Sequence, residues 1–370
     1  MVAAAAIALL GVLLWWLWDA SLAWFSWKAG SRPAARSAFE GGVTVVCCVR
    51  DGMEHLPEWV EGARAWGVPV VVVDDGSTDG TAAFLAGLEG VKAVRLEGSR
   101  PGKKDAVAAG LAAVETAWVA LTDVDCRPGA DWLEGLAAAA GDRAEVVVGL
   151  SWPTLGRVRL VPLVEAVAVA RRYAAAVGAG RPYMGVGRNM AYRVAGFPGF
   201  ERHADWASGD DDLLVQDWPE REGVRRVDQI RFAPVHVPTF APASRRAWRR
   251  MKRRHVSTGT AYRPSVVAAL SVPVWAALCW VGGAAALWWQ WAAGPSAVLH
   301  IALWIVHAGA LSAWLFHLLT FRMFAKRCGL SGLAAWGGML QPLVFLEQVG
   351  WTAQVMWATR FGLKHPEQSW

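Results

Sequence analysis

The pattern of apolar and polar positions divides the chain into three parts. Val2–Trp18 is continuously apolar, and about 20 such residues suffice to cross a bilayer. Ser265–Trp291 and Ala297–Thr320 are two more such runs, separated by the short uncharged link Ala292–Ser296; a fourth, Leu330–Trp357, is interrupted by Gln341, Pro342, Glu347 and Gln348. Between them, from about Gly42 to Arg263, short apolar runs alternate with helical stretches. Val43–Val49, Val68–Val73, Val91–Leu96, Ala117–Leu121 and Glu145–Gly149 read as strands, and Glu54–Trp66, Asp79–Leu88, Lys104–Glu115 and Ala130–Ala140 as helices. The strands are apolar throughout, as in a parallel sheet covered on both faces. Further on, the pattern predicts a helix over Val161–Ala176, a Gly-punctuated strand over 185–192 and a helix opening at Asp210. An extended stretch held by Pro234, Pro238 and Pro242 then leads into a basic helix over Ser244–His255. The expected fold class is α/β, a mostly parallel sheet flanked by helices, with transmembrane helices at both ends.

Composition agrees: 55% of the 370 residues are hydrophobic and 24 are Trp, too apolar for a wholly soluble enzyme. The Trp excess in the spans is read as interfacial anchoring rather than a sugar-stacking platform. Lys28, Arg32 and Arg36 follow the first apolar run instead of preceding it, which argues against a cleaved signal peptide and for an anchor with its N-terminus outside. The same rule puts Arg245–Arg263, Arg322, Lys326 and Arg327 in the cytoplasm, so the middle domain is expected there, on the inner membrane. A full crossing by Leu330–Trp357 would carry Arg360 and Lys364 outside, and Gln341-Pro342 sits at its middle, so a re-entrant or interfacial helix pair is favoured over a third C-terminal span. The net charge of +6 comes with no nucleic-acid motif, and its cluster abuts a membrane run; lipid headgroups or a phosphate-bearing ligand are the expected partners. Five scattered Cys (47, 48, 126, 279 and 328) show no metal-type spacing and predict no disulfides.

Chemistry concentrates where the strands end. Asp51, Asp74, Asp75, Asp123 and Asp125 all fall at carboxyl ends of predicted strands, where ligands of such sheets bind. Asp123 and Asp125 sit two apart, so on an extended strand end they point the same way and can hold a hard divalent cation on a diphosphate. The plain alternative is an Asp-rich turn. The stretch from Asp74 through Thr81 offers a carboxylate to a base or ribose and glycines for close backbone approach, against the alternative of a strand–turn–helix with side-chain caps. Asp210, Asp211 and Asp212 either cap a helix or supply a proton acceptor whose pKa is raised by like charges. His203 and His236 are lone histidines, open to a structural role or to the metal or acceptor pocket.

These strings resemble the motifs of family 2 glycosyltransferases, which have the GT-A fold, from about Val43 to Tyr262. Asp74 through Thr81 is similar to the nucleotide-binding turn, Gly102-Lys103-Lys104-Asp105-Ala106 to the family's G-K-x-x-A segment, and Asp123-Val124-Asp125 to its metal motif. Gly187 through Ala191 is similar to the G-x-N-x-A strand beneath the acceptor site, and Ser208 through Leu213 to the base motif. The resemblance implies Asp211 as catalytic base beside Asp210. It assigns Asp74, Asp75, Asp51, Lys104 and Asp123 to the donor, Asp125 with Asp123 to Mg2+ or Mn2+, and Arg254, His255 and Asn189 to the acceptor or diphosphate. The chain departs from the pattern twice: Arg50-Asp51-Gly52-Met53-Glu54 replaces an Asn-Glu pair, and Met251-Lys252-Arg253-Arg254-His255 replaces the Q-x-x-R-W of processive members.

The implied function is inverting transfer of a sugar from a nucleotide-sugar donor to a lipid acceptor at the cytoplasmic face. A processive polysaccharide synthase and a non-catalytic membrane scaffold are the alternatives. The expected organisation is an anchor (1–27), a linker (28–41), a nucleotide-sugar-binding half (42–149), an acceptor-binding half with the basic helix (150–263), a membrane region (264–357) and a tail (358–370).

Overall fold

The computed structural model describes residues 1–350 apart from 32–38, 101, 158, 331, 343, 345, 347 and 348. Half of the expected linker (32–38), the residues Glu347 and Gln348, and the tail lie outside the described residues. So does the end of Leu330–Trp357, whose re-entrant path is an expectation that falls partly there.

A seven-stranded sheet organises the middle of the chain. Its strands are β1 (Val43–Val49), β2 (Val70–Asp74), β3 (Lys92–Arg95), β4 (Trp118–Asp123), β5 (Val146–Leu155), β6 (Met190–Arg193) and β7 (Ile230–Phe240), in the spatial order β3-β2-β1-β4-β6-β5-β7. Every pairing is parallel except those of β6, which runs against both β4 and β5. The strands are apolar on both sides because both sides are covered. Val46, Val71, Val73, Leu121 and Val148 join one core with α4 (Lys104–Ala112) and α6 (Leu160–Gly178). Val45, Val72, Ala120 and Val147 join another with α2 (Leu56–Arg64) and α5 (Trp132–Ala140), around Trp59 and Trp132.

Three features differ from the expectation. β5 runs through the expected boundary at 149/150 and pairs with β6 and β7, so the two halves share one sheet. The Pro-rich stretch expected to be merely extended is β7, which tolerates proline because it is the edge strand of the sheet, laddered to β5 and otherwise met by a single bridge between Cys126 and Thr239 and by the Asn189 amide. The strand expected over 185–192 begins only at Met190: Gly187 and Arg188 form a turn.

Helices α1 (Val2–Gly30), α10 (Pro264–Ala293) and α11 (Ala297–Arg327) are long and apolar enough to cross a membrane. They approach through small residues: a Cβ on Gly11 would lie 2.5 Å from the Ala276 carbonyl oxygen, and one on Gly283 would lie 2.6 Å from that of Ala4. Trp16 meets Phe316, Asp19 meets His317 and Arg327 donates to the Trp27 carbonyl, so α1 and α11 run in the same direction. The α/β domain therefore joins the three helices at one common end. A 3-10 helix, Gly332–Leu340, packs there against α11 and α6, with Arg322 over the Trp336 ring.

Candidate active site

The ends of β1, β2 and β4 form one rim, and side chains stitch it together. Asp51, which carries a left-handed backbone (φ 49°), donates its N–H to Ser77 and accepts at Oδ1 from the Thr78 amide (2.7 Å) and hydroxyl (3.1 Å). Asp74 accepts from the Ser77 amide at 2.9 Å and lies 3.5 Å from Arg95, while Asp75 lies 3.9 Å from Arg50. Asp51 and Asp74, expected at the nucleoside, thus use their carboxylates to shape the turn that would receive it. Asp75 is buried beside them, turned toward Arg50.

Next to this rim, the turn before α4 divides two lysines. Lys103 donates to Asp123 Oδ1 at the end of β4. Lys104, the lysine expected at the donor phosphates, turns away. Its ammonium is buried and bonds the carbonyls of His203 (2.6 Å), Trp206 (2.7 Å) and Ser208 (2.9 Å). That correction has a physical basis: an ammonium has three donors, and here three backbone acceptors saturate them. Gly102 makes the contact possible, since its φ is 104° and a Cβ would lie 2.1 Å from the Ala207 carbonyl oxygen. Lys104 therefore straps the 203–208 loop, which leads directly into Asp210 and Asp211.

Asp211 caps α7 (Asp212–Asp217). Its Oδ1 accepts from the Asp212 amide at 2.7 Å and its Oδ2 from the Gly187 amide at 2.9 Å. Burial, then the neighbouring charges of Asp210 and Asp212, raise its pKa to about 7. Arg188, the residue after Gly187, reaches the Thr239 hydroxyl (3.5 Å), which stands 3.4 Å from Asp125 Oδ2. A continuous polar path thus leads from Asp211 to the Asp123/Asp125 pair, and the two acidic clusters face one cleft. Asp123 would be pushed up by burial, yet the charges of Lys103, Arg188 and Arg254 hold it below the ordinary carboxylate value.

The basic helix α9 (Arg245–Ser257) closes this side. Trp248 is buried and Lys252 pairs with the buried Glu165 of α6 at 3.0 Å, and the Arg254 charge acts on Asp123. Burial and the charges of Lys252, Arg254 and Arg188 push His255 well below its usual pKa, so it offers a neutral ring. Asn189, expected toward the acceptor, is instead fully buried. Its amide bonds the Leu150 and Val235 carbonyls and accepts from the Trp132 indole, bracing the sheet below the cleft. His203 Nε2 lies 2.9 Å from Asp217, and His236, stacked on Trp152, is lowered to about 4 by burial. Their partners are thus Asp217 and Trp152 rather than Asp123 or Asp125. Arg188 and Lys103 are the cleft residues that the sequence reading did not single out.

Among the described residues, no group of three or more His, Cys, Asp or Glu could by itself hold a metal ion. Two hard carboxylates nonetheless fit a cation of the Mg2+ class, which is typically bound by one or two carboxylates with phosphate oxygens completing the shell.

An α/β domain with aspartates at its strand ends and a shared acidic cleft is the architecture of GT-A glycosyltransferases. Residues 44–206 match the family described as "Glycosyl transferase family 2", so this stretch is a domain of that family. The fold is similar to that of the solved mannosyltransferase PcManGT from Pyrobaculum calidifontis, in complex with GDP-Man and Mn2+: 19% identity, TM-score 0.54, covering 90% of this chain and 97% of that one. S. aureus TarS (residues 1–349) aligns over 87% of this chain and 92% of its own at 13% identity, with a TM-score of 0.38. No curated protein matches the chain.

Proposed function

We propose that the protein is an inverting glycosyltransferase of the inner membrane, moving a sugar from a nucleotide-sugar donor to a lipid acceptor, with its catalytic domain in the cytoplasm. The observation that carries the reading is a carboxylate titrating at about 7, Asp211, across one cleft from the Asp123/Asp125 pair. A base poised near neutrality suits removal of a proton from an acceptor hydroxyl. That hydroxyl attacks the anomeric carbon on the face opposite the departing diphosphate, which inverts the centre. Lys103, Arg188 and Arg254 supply positive charge where the leaving group's negative charge grows, and Asp75 with the turn shaped by Asp51 and Asp74 receives the nucleoside. Asp123 and Asp125 would hold Mg2+ or Mn2+, which when bound neutralises diphosphate charge. Three long apolar helices, and α6 and α9 seated at their common end, support an acceptor delivered from the bilayer. Lys28, Arg263 and Arg327 at that end support a cytoplasmic face.

Asp211→Asn is the test. In full-length protein, transfer is expected to fall by about 10²–10⁴-fold, the range of general-base contributions, with sugar-nucleotide binding unchanged. Undiminished turnover would refute the role.

A further inference from the structure

Of the three consecutive aspartates, Asp212 turns away from the cleft. It is buried, its Oδ1 accepts from the Leu213 amide (2.8 Å), and its Oδ2 accepts from both the Thr258 hydroxyl (2.8 Å) and the Tyr262 hydroxyl (2.5 Å). Thr258 and Tyr262 belong to the short segment between α9 and α10, two to six residues before the membrane helix begins at Pro264. One turn along α7, Gln216 makes a second tie. Its Oε1 accepts the Arg263 amide at 3.2 Å, its backbone carbonyl accepts the Arg263 guanidinium, and its Nε2 donates to the Tyr183 carbonyl. The helix that Asp211 caps is therefore fastened at both ends to the root of α10, on the side opposite the substrate cleft. A polar pair at each end is more than packing needs, because a buried carboxylate is costly unless its oxygens are satisfied.

We infer that Asp212, held by Thr258 and Tyr262, is a positioning residue for the base: it seats α7 on the root of the membrane helix so that Asp211 stays aimed into the cleft. The inference rests on the reading of Asp211 as base. It adds that the membrane helix supplies part of the catalytic geometry. The charged and titratable groups around the base are Asp210 and Asp212 on its own segment, Lys104 from α4, Arg188 from the turn before β6, and Tyr173 from α6. Of these, Asp212 touches the membrane root. Weakening the hold on its charge relieves repulsion on Asp211, so the seat and the basicity of Asp211 should change together.

The test uses full-length protein in nanodiscs, comparing wild type with Tyr262→Phe, Asp212→Asn and Thr258→Ser. Nucleoside diphosphate release from UDP- and GDP-sugars is followed against pH, and amide hydrogen exchange of 212–217 is followed separately. Tyr262→Phe and Asp212→Asn are expected to lower kcat about tenfold or more, to leave donor KM within about twofold, and to move the acid limb of the rate profile to lower pH. Exchange in α7 should quicken at least tenfold. Thr258→Ser keeps the hydroxyl donor and should retain the wild-type profile. A merely structural role would scale kcat down through loss of folded protein while leaving the acid limb in place; that result, or unchanged exchange in α7, overturns the inference. If wild-type protein releases nucleotide from no sugar donor, the proposed function fails instead, and the exchange measurement alone still decides the seat.

Discussion

Asp211 is buried, and flanked by the charges of Asp210 and Asp212, so that it should still be half protonated near neutrality. Only the ionised form can take a proton from the acceptor. If Asp211 is the base, kcat/KM should fall about tenfold per unit as pH drops below about 7 and level off above it, a profile readable from initial rates in wide-range buffers. The neighbouring lysines offer a second contrast. Lys103→Met removes charge that faces the diphosphate both bound and departing, and should raise donor KM about tenfold and lower kcat as well. Lys104→Met releases the 203–208 loop and should lower kcat with donor KM nearly unchanged. Chelation with EDTA should stop turnover and added Mg2+ or Mn2+ restore it, with Asp125→Ala raising the metal concentration needed for half-maximal rate. Much at this scale was legible in the sequence: Asp74 with Asp75 and Asp123 with Asp125 fell at strand ends, and Asp210 to Asp212 at the start of a helix. The two lysines were not separable, because which one faces the cleft depends on a turn with φ 104° at Gly102 and on carbonyls about a hundred positions away. Arg188 was hidden for a similar reason. Read as part of a strand it had no assigned direction, whereas the turn at 187–188 swings it toward Thr239.

Among the elements, α6 ties the parts together. Tyr173 donates to the Gly149 carbonyl in the sheet, Glu165 holds Lys252 of the basic helix, and Arg171 enters the membrane bundle. There its guanidinium meets Asp19 of α1 at 2.8 Å and the Thr320 hydroxyl of α11 at 2.8 Å, while His317 approaches the same carboxylate at 3.0 Å. All four residues are buried. Breaking such a group by removing one member leaves an uncompensated charge, so Asp19→Ala should cost about 3–5 kcal/mol, seen as a lower unfolding temperature in detergent. The hydrophobic pattern found α6 nearly to its ends; its unbroken apolar run stopped at Trp18, inside an anchor expected over 1–27, and gave Asp19 no partner. The helix continues to Gly30 because a partner 152 positions along the chain neutralises that carboxylate, which no local pattern encodes.

Taken as a whole, the molecule joins a bundle of long apolar helices to an α/β domain, matched over residues 44–206 by glycosyl transferase family 2, whose sheet was predictable almost strand by strand. Its attachment to the membrane bundle was not. The charge asymmetry around the spans gave an expected orientation, and apolar length gave the three long helices found among the described residues. Neither could reveal that Gly178 of α6 brings its backbone against Phe25 of α1, where a Cβ would lie 2.0 Å from the carbonyl oxygen. The N-terminal helix is thus no interchangeable tether. A chimera carrying a foreign single-pass segment in its place would still reach the bilayer, but Arg171 would be stranded without its counter-ion and the docking groove of α6 would stand open.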